Sequence, residues 1–405
     1  MRASTAFHCL LSCAVLRAPS QRTVDTTQAL YIWIFVLSCY NCYNDTGRSK
    51  IVGDVEKQPG GGRCKEKTGA AFVKVHKAGS TTVQCILKRF GYRRHLHFVL
   101  SSSKEWKLAW PYLMKKEDYL QPIPGQPFDL LVDHTVYNRE IFRNLLPNDT
   151  AYLAIVREPY SHLQSAINYF DLRRKYGLPK DDPERFFLQN PAELERAYVL
   201  SSAMNITLCK PECTHRNISK TRNLMAYDLG IPKTLWEDED DVRDYIAQLD
   251  RDFLLVLVLE YFDESLVLLK RYMCWQLTDI LYRIHNSQEY TNEGTKLSPE
   301  LREAHYNWSK ADYMLYQHFN RTLWEKVANE GADFYSEVKQ FQHLNRVTSQ
   351  FCKEEGDVSN YKQKVLEASA WNDRIVLDSN FCRLLNMGTH DYGRALKERY
   401  FAAMT

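Results

Sequence analysis

The sequence predicts an α/β protein: a parallel sheet flanked by helices, with a helical C-terminal part. Three observations predict it. Short apolar runs alternate with stretches of helical period between residues 70 and 275. The runs are nearly continuous, as strands covered on both faces are. The first run opens into a small-residue loop and then a helix, an arrangement suited to binding anions.

The elements follow in order. Ala70–Val75 reads as a strand, and Thr82–Phe90 as the helix after the loop. His95–Leu100 and Phe128–Asp133 read as the next strands. Ala151–Val156 is another, followed by Pro159 and an amphipathic stretch from Tyr160 to Tyr176. Phe253–Leu259 is the strongest run, and a long amphipathic stretch leads from it to Trp275. Its apolar core, Leu254–Leu259, is bounded by Asp252 and Glu260, so it reads as a buried strand and not a membrane segment. Beyond residue 297 the pattern is helical, over Pro299–Ala304, Lys310–Asn329 and Asp333–Phe341.

The chain of 405 residues can bury a sizeable core. Its net charge of +3 is too small to draw in nucleic acid, so any anion site must come from local residues. Residues 29–43 are uncharged and mostly apolar, though shorter than the roughly 20 residues that span a bilayer comfortably. Arg2, Arg17 and Arg22 precede them and Arg48 follows, which orients a type II anchor. The expected organisation is a cytoplasmic tail (1–28), an anchor (29–43), a stem (44–68) containing Pro59-Gly-Gly-Gly62, and a lumenal domain (69–405). A cleaved signal is the alternative for the apolar segment.

Six acceptor sequons, at Asn44, Asn148, Asn205, Asn217, Asn307 and Asn320, exceed the roughly two or three expected by chance and favour the secretory lumen. The eleven cysteines by themselves fit either free thiols in a reducing compartment or disulfides in the lumen. Cys85, in the helix after the loop, reads as a buried free thiol. The spacing Cys209-x-x-x-Cys213-x-His215 suits a disulfide better than zinc. The connectivity of Cys64, Cys209, Cys213, Cys274, Cys352 and Cys382 is left open.

The segment Phe72-Val-Lys-Val-His-Lys-Ala-Gly-Ser-Thr-Thr82 carries the most chemistry. Gly79 permits close approach of a ligand to backbone. Ser80, Thr81 and Thr82 offer hydroxyls, the next helix offers unpaired N–H groups, and Lys77 adds a full charge. The spacing is not that of a Walker loop, because the lysine precedes the glycine. A second anion site is expected at Val156-Arg-Glu-Pro-Tyr-Ser-His-Leu-Gln-Ser165. There Arg157 ends a strand, and Ser165 lies one to two turns into the next helix.

The Lys-x-Gly-Ser-Thr-Thr loop, followed by strand, arginine and helix, resembles the two elements with which sulfotransferases bind 3'-phosphoadenosine 5'-phosphosulfate (PAPS). Further segments resemble the galactose-3-O-sulfotransferase family: Asn223–Gly230, Leu259–Lys270, Cys274–Leu277, Leu297–Arg302 and Tyr316–Trp324. The resemblance runs from about residue 70 to residue 345, with weaker likeness to the C-terminus, and implies a sulfotransferase fold: a single α/β domain with a P-loop-like parallel sheet flanked by helices. It implies metal-independent transfer from PAPS to the 3-hydroxyl of β-galactose in a glycolipid or glycan, behind a type II anchor in the Golgi membrane. By motif match, Lys77, Gly79, Ser80, Thr81 and Thr82 would hold the 5'-phosphosulfate, and Arg157 and Ser165 the 3'-phosphate.

A sugar hydroxyl needs a base to take its proton. His134 ends the run Phe128–Asp133 and is the first candidate. A histidine after a similar strand serves related glycan sulfotransferases. Glu260, at the end of Phe253–Leu259, is the second. His76 adjoins Lys77 and would contact the sulfonate or support the loop, while Glu158 would pair with a basic residue. Trp106, Trp110 and Tyr112 form an aromatic group that serves either the core or a sugar. Transfer to another sugar or position, a P-loop nucleotide kinase and an inactive glycan-binding protein are the competing readings. The sequence leaves open whether the acceptor is lipid- or protein-linked, and whether the chain forms a homodimer.

Overall fold

The computed structural model describes residues 64–103, 107–204, 218–283, 298–354 and 363–404. These belong to one compact unit that begins at Cys64. Four strands form its sheet: β1 (Ala70–Phe72), β2 (Leu130–Leu131), β3 (Ala151–Val156) and β4 (Leu255–Val258). They pair in the order β2-β1-β3-β4, all parallel. The register sets Ala70 beside Leu130 and Ala151, and Val156 beside Val258. Every strand residue except Tyr152 is buried, which is why these strands read as unbroken apolar runs.

The chain leaves β1 to one side for β2, then crosses to the other side for β3. The loops after β1 and β3 therefore diverge at their carboxyl ends, and such a switch point opens a crevice. The loop after β1 leads into α1 (Ser80–Arg93), and β3 leads into α2 (Pro159–Tyr169). The shell is completed by α3 (Leu224–Asp228), α4 (Glu239–Asp252), α5 (Phe262–Met273), α6 (Lys310–Ala328), α7 (Phe334–Glu354) and α8 (Thr389–Met404). Helix starts follow local chemistry. Asp238 caps α4 by accepting from the N–H groups of Asp240 and Asp241, and three acidic residues fill its first turn against the helix dipole.

Buried charges fix α1. Lys88 is fully buried and donates to Asp133 at 2.6 Å, while Gln84 donates to the same carboxylate at 2.5 Å. Arg89 donates to the carbonyl of Asp279 at 2.7 Å. Disulfides Cys64–Cys274 and Cys352–Cys382 tie the start of the unit to the end of α5, and α7 to the helix Ser379–Asn386. Cys85 is buried and free, as expected. Cys209, Cys213 and His215 lie outside the described residues.

Several expectations are corrected in detail. His95–Leu100 forms only an isolated parallel bridge, Phe98 to Leu130. The C-terminal part is not wholly helical, because β5 (Lys364–Leu366) and β6 (Ile375–Leu377) form an antiparallel ribbon. The helix expected over Asp333–Phe341 runs on to Glu354. Among the described residues no helix is long and apolar enough to cross a membrane, and residues 29–43 lie outside them.

Candidate active site

The residues singled out from sequence gather at the carboxyl ends of the four strands. His134 follows β2, Lys77 and Gly79 follow β1, Arg157 follows β3 and Glu260 follows β4. Arg157 Nη1 donates to the carbonyl of Lys77 at 3.1 Å, so the two expected anion-binding segments touch.

The loop is shaped by sterics. Gly79 is the N-cap of α1 with φ 74°, in the left-handed region. A Cβ there would stand 2.5 Å from Leu259 Cδ1, so the glycine also lets the loop close onto the end of β4. Lys77 has φ 56°, a backbone state that costs a non-glycine residue about 1–2 kcal/mol. The Ser80 hydroxyl is buried and donates to the carbonyl of Val75 at 2.5 Å, so here it braces the loop. Thr81 accepts a long hydrogen bond from Lys74 at 3.4 Å, and Thr82 donates its N–H to the Gly79 carbonyl at 3.1 Å.

Arg157 sits between the loop and α3, its N–H directed at Met225 Sδ. Ser165 is buried on α2. Glu158 caps α2, accepting from the N–H groups of Tyr160 and Ser161, and among the described residues it forms no ion pair of the kind expected. Glu260 is surface-exposed and accepts the Glu158 N–H at 2.9 Å, which joins the ends of β3 and β4.

Two histidines and a lysine form the centre. His76 stacks on His134 with ring centroids 4.3 Å apart. His76 meets Asp228 twice, accepted by Oδ2 from its backbone N–H at 2.7 Å and in contact with Nδ1 at 2.8 Å. Trp110 Nε1 donates to the other oxygen of that carboxylate at 2.8 Å. Asp228 is fully buried and thus satisfied from three directions. Burial lowers the pKa of His76 and drives that of His134 well below its ordinary value, so both are neutral near pH 7. His134 Nε2 lies 2.9 Å from the Lys74 ammonium, and its Nδ1 is buried with no hydrogen-bond partner among the described residues. Burial pulls Lys74 down to about 8 and also lowers Lys77, whose second cause is the nearby Arg157 charge.

Sequence reasoning missed Lys74 and Asp228. A lysine inside Phe72–Val75 and an aspartate inside Leu224–Leu229 were the available signals, because a charge in an apolar run must have a reason. Trp110 is buried and Tyr112 is 59% exposed, so the aromatic group does not act as one patch. Trp106 lies outside the described residues. Of the sequons, Asn148 is exposed in the turn before β3 and Asn307 is exposed on the helix Pro299–Trp308. Asn320 lies within α6 with its side-chain oxygen buried, a poor setting for a glycan. Asn44, Asn205 and Asn217 lie outside the described residues. Among the described residues no cluster of His, Cys, Asp and Glu is placed to hold a metal ion.

A glycine-shaped loop at a switch point, two lysines, a guanidinium and two neutral histidines thus stand together at the strand ends of an α/β fold. The sequence matches the family described as Galactose-3-O-sulfotransferase over residues 27–369, and the chain belongs to that family. It is 30% identical over 298 residues to galactosylceramide sulfotransferase of Homo sapiens, covering 73% of this chain and 66%, just under two thirds, of that protein. It is 32% identical over 302 residues to galactose-3-O-sulfotransferase 2 of Sus scrofa, covering 73% of this chain and 71% of that protein. Against galactose-3-O-sulfotransferase 3 of Bos taurus it is 32% identical over 268 residues, covering 64% and 58%.

Proposed function

We propose that this protein transfers the sulfuryl group of PAPS to the 3-hydroxyl of a β-galactose residue in a glycolipid or glycan. The observation that carries the reading is the contact of Arg157 with the Lys77 carbonyl, which brings both expected anion sites to one crevice. The Gly79 backbone, the first turn of α1 and Lys77 would hold the 5'-phosphosulfate, with Ser80 stiffening the loop and Thr81 and Thr82 supplying hydroxyls. Arg157, with Ser165, would hold the 3'-phosphate. The acceptor oxygen attacks sulfur, the bond from sulfur to the phosphate oxygen breaks, and the acceptor proton passes to a base.

His76 has the stronger claim to be that base. With Nδ1 held by Asp228, its Nε2 is the nitrogen left for proton transfer, and the carboxylate steadies the imidazolium that forms. His134, whose Nε2 already faces Lys74, is the second candidate and Glu260 the third. Lys77 and Lys74 supply positive charge where the leaving phosphate gathers negative charge, so the transfer needs no divalent metal. The same reading puts the catalytic part in the Golgi lumen behind an anchor over residues 29–43. The two disulfides and the sequons support an oxidising compartment.

The test is incubation of the protein with ³⁵S-labelled PAPS and a panel of galactosides, with and without chelator. Label on the galactose 3-oxygen that survives chelation, and that Lys77→Ala abolishes, is expected. Label on another sugar or position, or a requirement for Mg²⁺, would overturn the assignment.

A further inference from the structure

The Lys77 ammonium lies 3.8 Å from the centroid of the Tyr169 ring. That ring, on the last residue of α2, is 65% exposed, so core packing does not require it. It stands edge-on to Phe170, with centroids 5.0 Å apart. Phe170 in turn lies 6.1 Å from His76, and His76 lies 4.3 Å from His134. A row of rings thus leads from an open aromatic face to the histidines, with the sulfonate-binding lysine resting on its outer member.

We propose that Tyr169 is an acceptor platform, whose ring carries the apolar face of β-galactose once the donor's phosphosulfate has drawn the Lys77 ammonium off it. The role rests on the galactose reading above and deepens it. In β-galactose the axial 4-hydroxyl leaves the hydrogens of C3, C4 and C5 on one face. That face stacks on an aromatic ring, while the equatorial 3-hydroxyl projects sideways from the rim. A sugar stacked on Tyr169 would therefore present that hydroxyl beside the loop that carries Lys77. In β-glucose the equatorial 4-hydroxyl changes that face, so the platform also selects the sugar. Cation and sugar need the same ring, which couples the two ligands: the nucleotide should bind first and strengthen acceptor binding.

The test uses the whole chain, with p-nitrophenyl β-galactoside and β-glucoside as acceptors. Affinity for the product nucleotide, 3'-phosphoadenosine 5'-phosphate (PAP), is measured by calorimetry. Tyr169→Ala should raise KM for the galactoside about tenfold, the scale of one aromatic contact, and narrow the preference for galactoside over glucoside. PAP affinity should stay within about twofold, and Tyr169→Phe should behave as wild type. An unchanged galactoside KM in Tyr169→Ala would overturn the platform. So would a change of PAP affinity as large as the change in KM, in either direction, which would make the ring a partner of Lys77 and not of the sugar. A wild-type protein that binds PAP but sulfates no galactoside would refute the activity itself, and the platform with it.

Discussion

Replacing Gly79 with alanine tests the loop at its tightest point. The added Cβ has two costs. It must take up φ 74°, which disfavours a side chain by about 1–2 kcal/mol. It also meets Leu259 Cδ1 at 2.5 Å, where carbon atoms settle at about 3.5–4.0 Å, so the leucine must yield by about 1 Å. Leu259 is only partly buried and can leave its rotamer for about 0.5–1.5 kcal/mol. The sum is about 1.5–3.5 kcal/mol, read as a lower urea midpoint with unchanged slope. If the loop holds the reacting group as proposed, turnover should fall by about a hundredfold, the scale of a 1 Å misplacement. Adding Leu259→Ala separates the two costs. It should restore about 1 kcal/mol of coupling, since the clash is gone, but not the backbone part. If Gly79→Ala is neutral in both stability and turnover, or if Leu259→Ala gives no coupling, the close approach of this loop to the end of β4 is wrong.

Other outcomes follow from the same geometry. Asp228→Asn should lower kcat by about a hundredfold or more with little change in PAP affinity, because the amide can no longer fix the His76 tautomer; His134→Ala should cost less turnover. Stopped assays at saturating PAPS check both. Lys88→Met should destabilise the protein by about 3–5 kcal/mol by leaving Asp133 buried without its cation, and Asp133→Leu added to it should recover much of that in urea melts. His162, held by the His76 carbonyl, is pulled by burial from 6.5 to about 4. It stays neutral in the fold while the unfolded chain takes a proton, so its stability is full above pH 6.5 and is lost as the pH falls toward 4. That amounts to about 3 kcal/mol, and urea midpoints of His162→Gln should show a shallower fall across this window.

Much of the fold was legible because parallel strands buried on both faces have no choice but to be apolar. Ala151–Val156 matches β3 residue for residue, and Phe253–Leu259 contains β4. The limits were blurred where another force ends the strand. Ala70–Val75 continues in sequence as an apolar run, but the ladder ends at Phe72 because Lys74 and His76 must turn toward the crevice. His95–Leu100 carries strand residues and trades backbone hydrogen bonds with Leu130 and Leu120, but its regular pairing stops at the single bridge of Phe98 with Leu130. The ribbon of Lys364–Leu366 and Ile375–Leu377 escaped notice because three residues per strand carry too little pattern.

The loop and arginine were visible from spacing, because anion binding needs small residues, a helix start and a cation close together in the chain. The His76–Asp228 pair was not, since its partners lie 152 residues apart and only the fold unites them. Glu158 shows the opposite limit: a carboxylate before proline reads equally as an ion pair or a cap, and local backbone geometry decides for the cap.

The account stands on one crevice that grips both ends of a single nucleotide. Calorimetry with PAP and with adenosine 5'-phosphate, which lacks the 3'-phosphate, addresses it most directly. Arg157→Ala should weaken PAP by about tenfold to a hundredfold and leave adenosine 5'-phosphate nearly untouched, whereas Lys77→Ala should weaken both. If Arg157→Ala keeps the full preference for PAP, or weakens both nucleotides alike, the 3'-phosphate is held elsewhere and the shared crevice is contradicted.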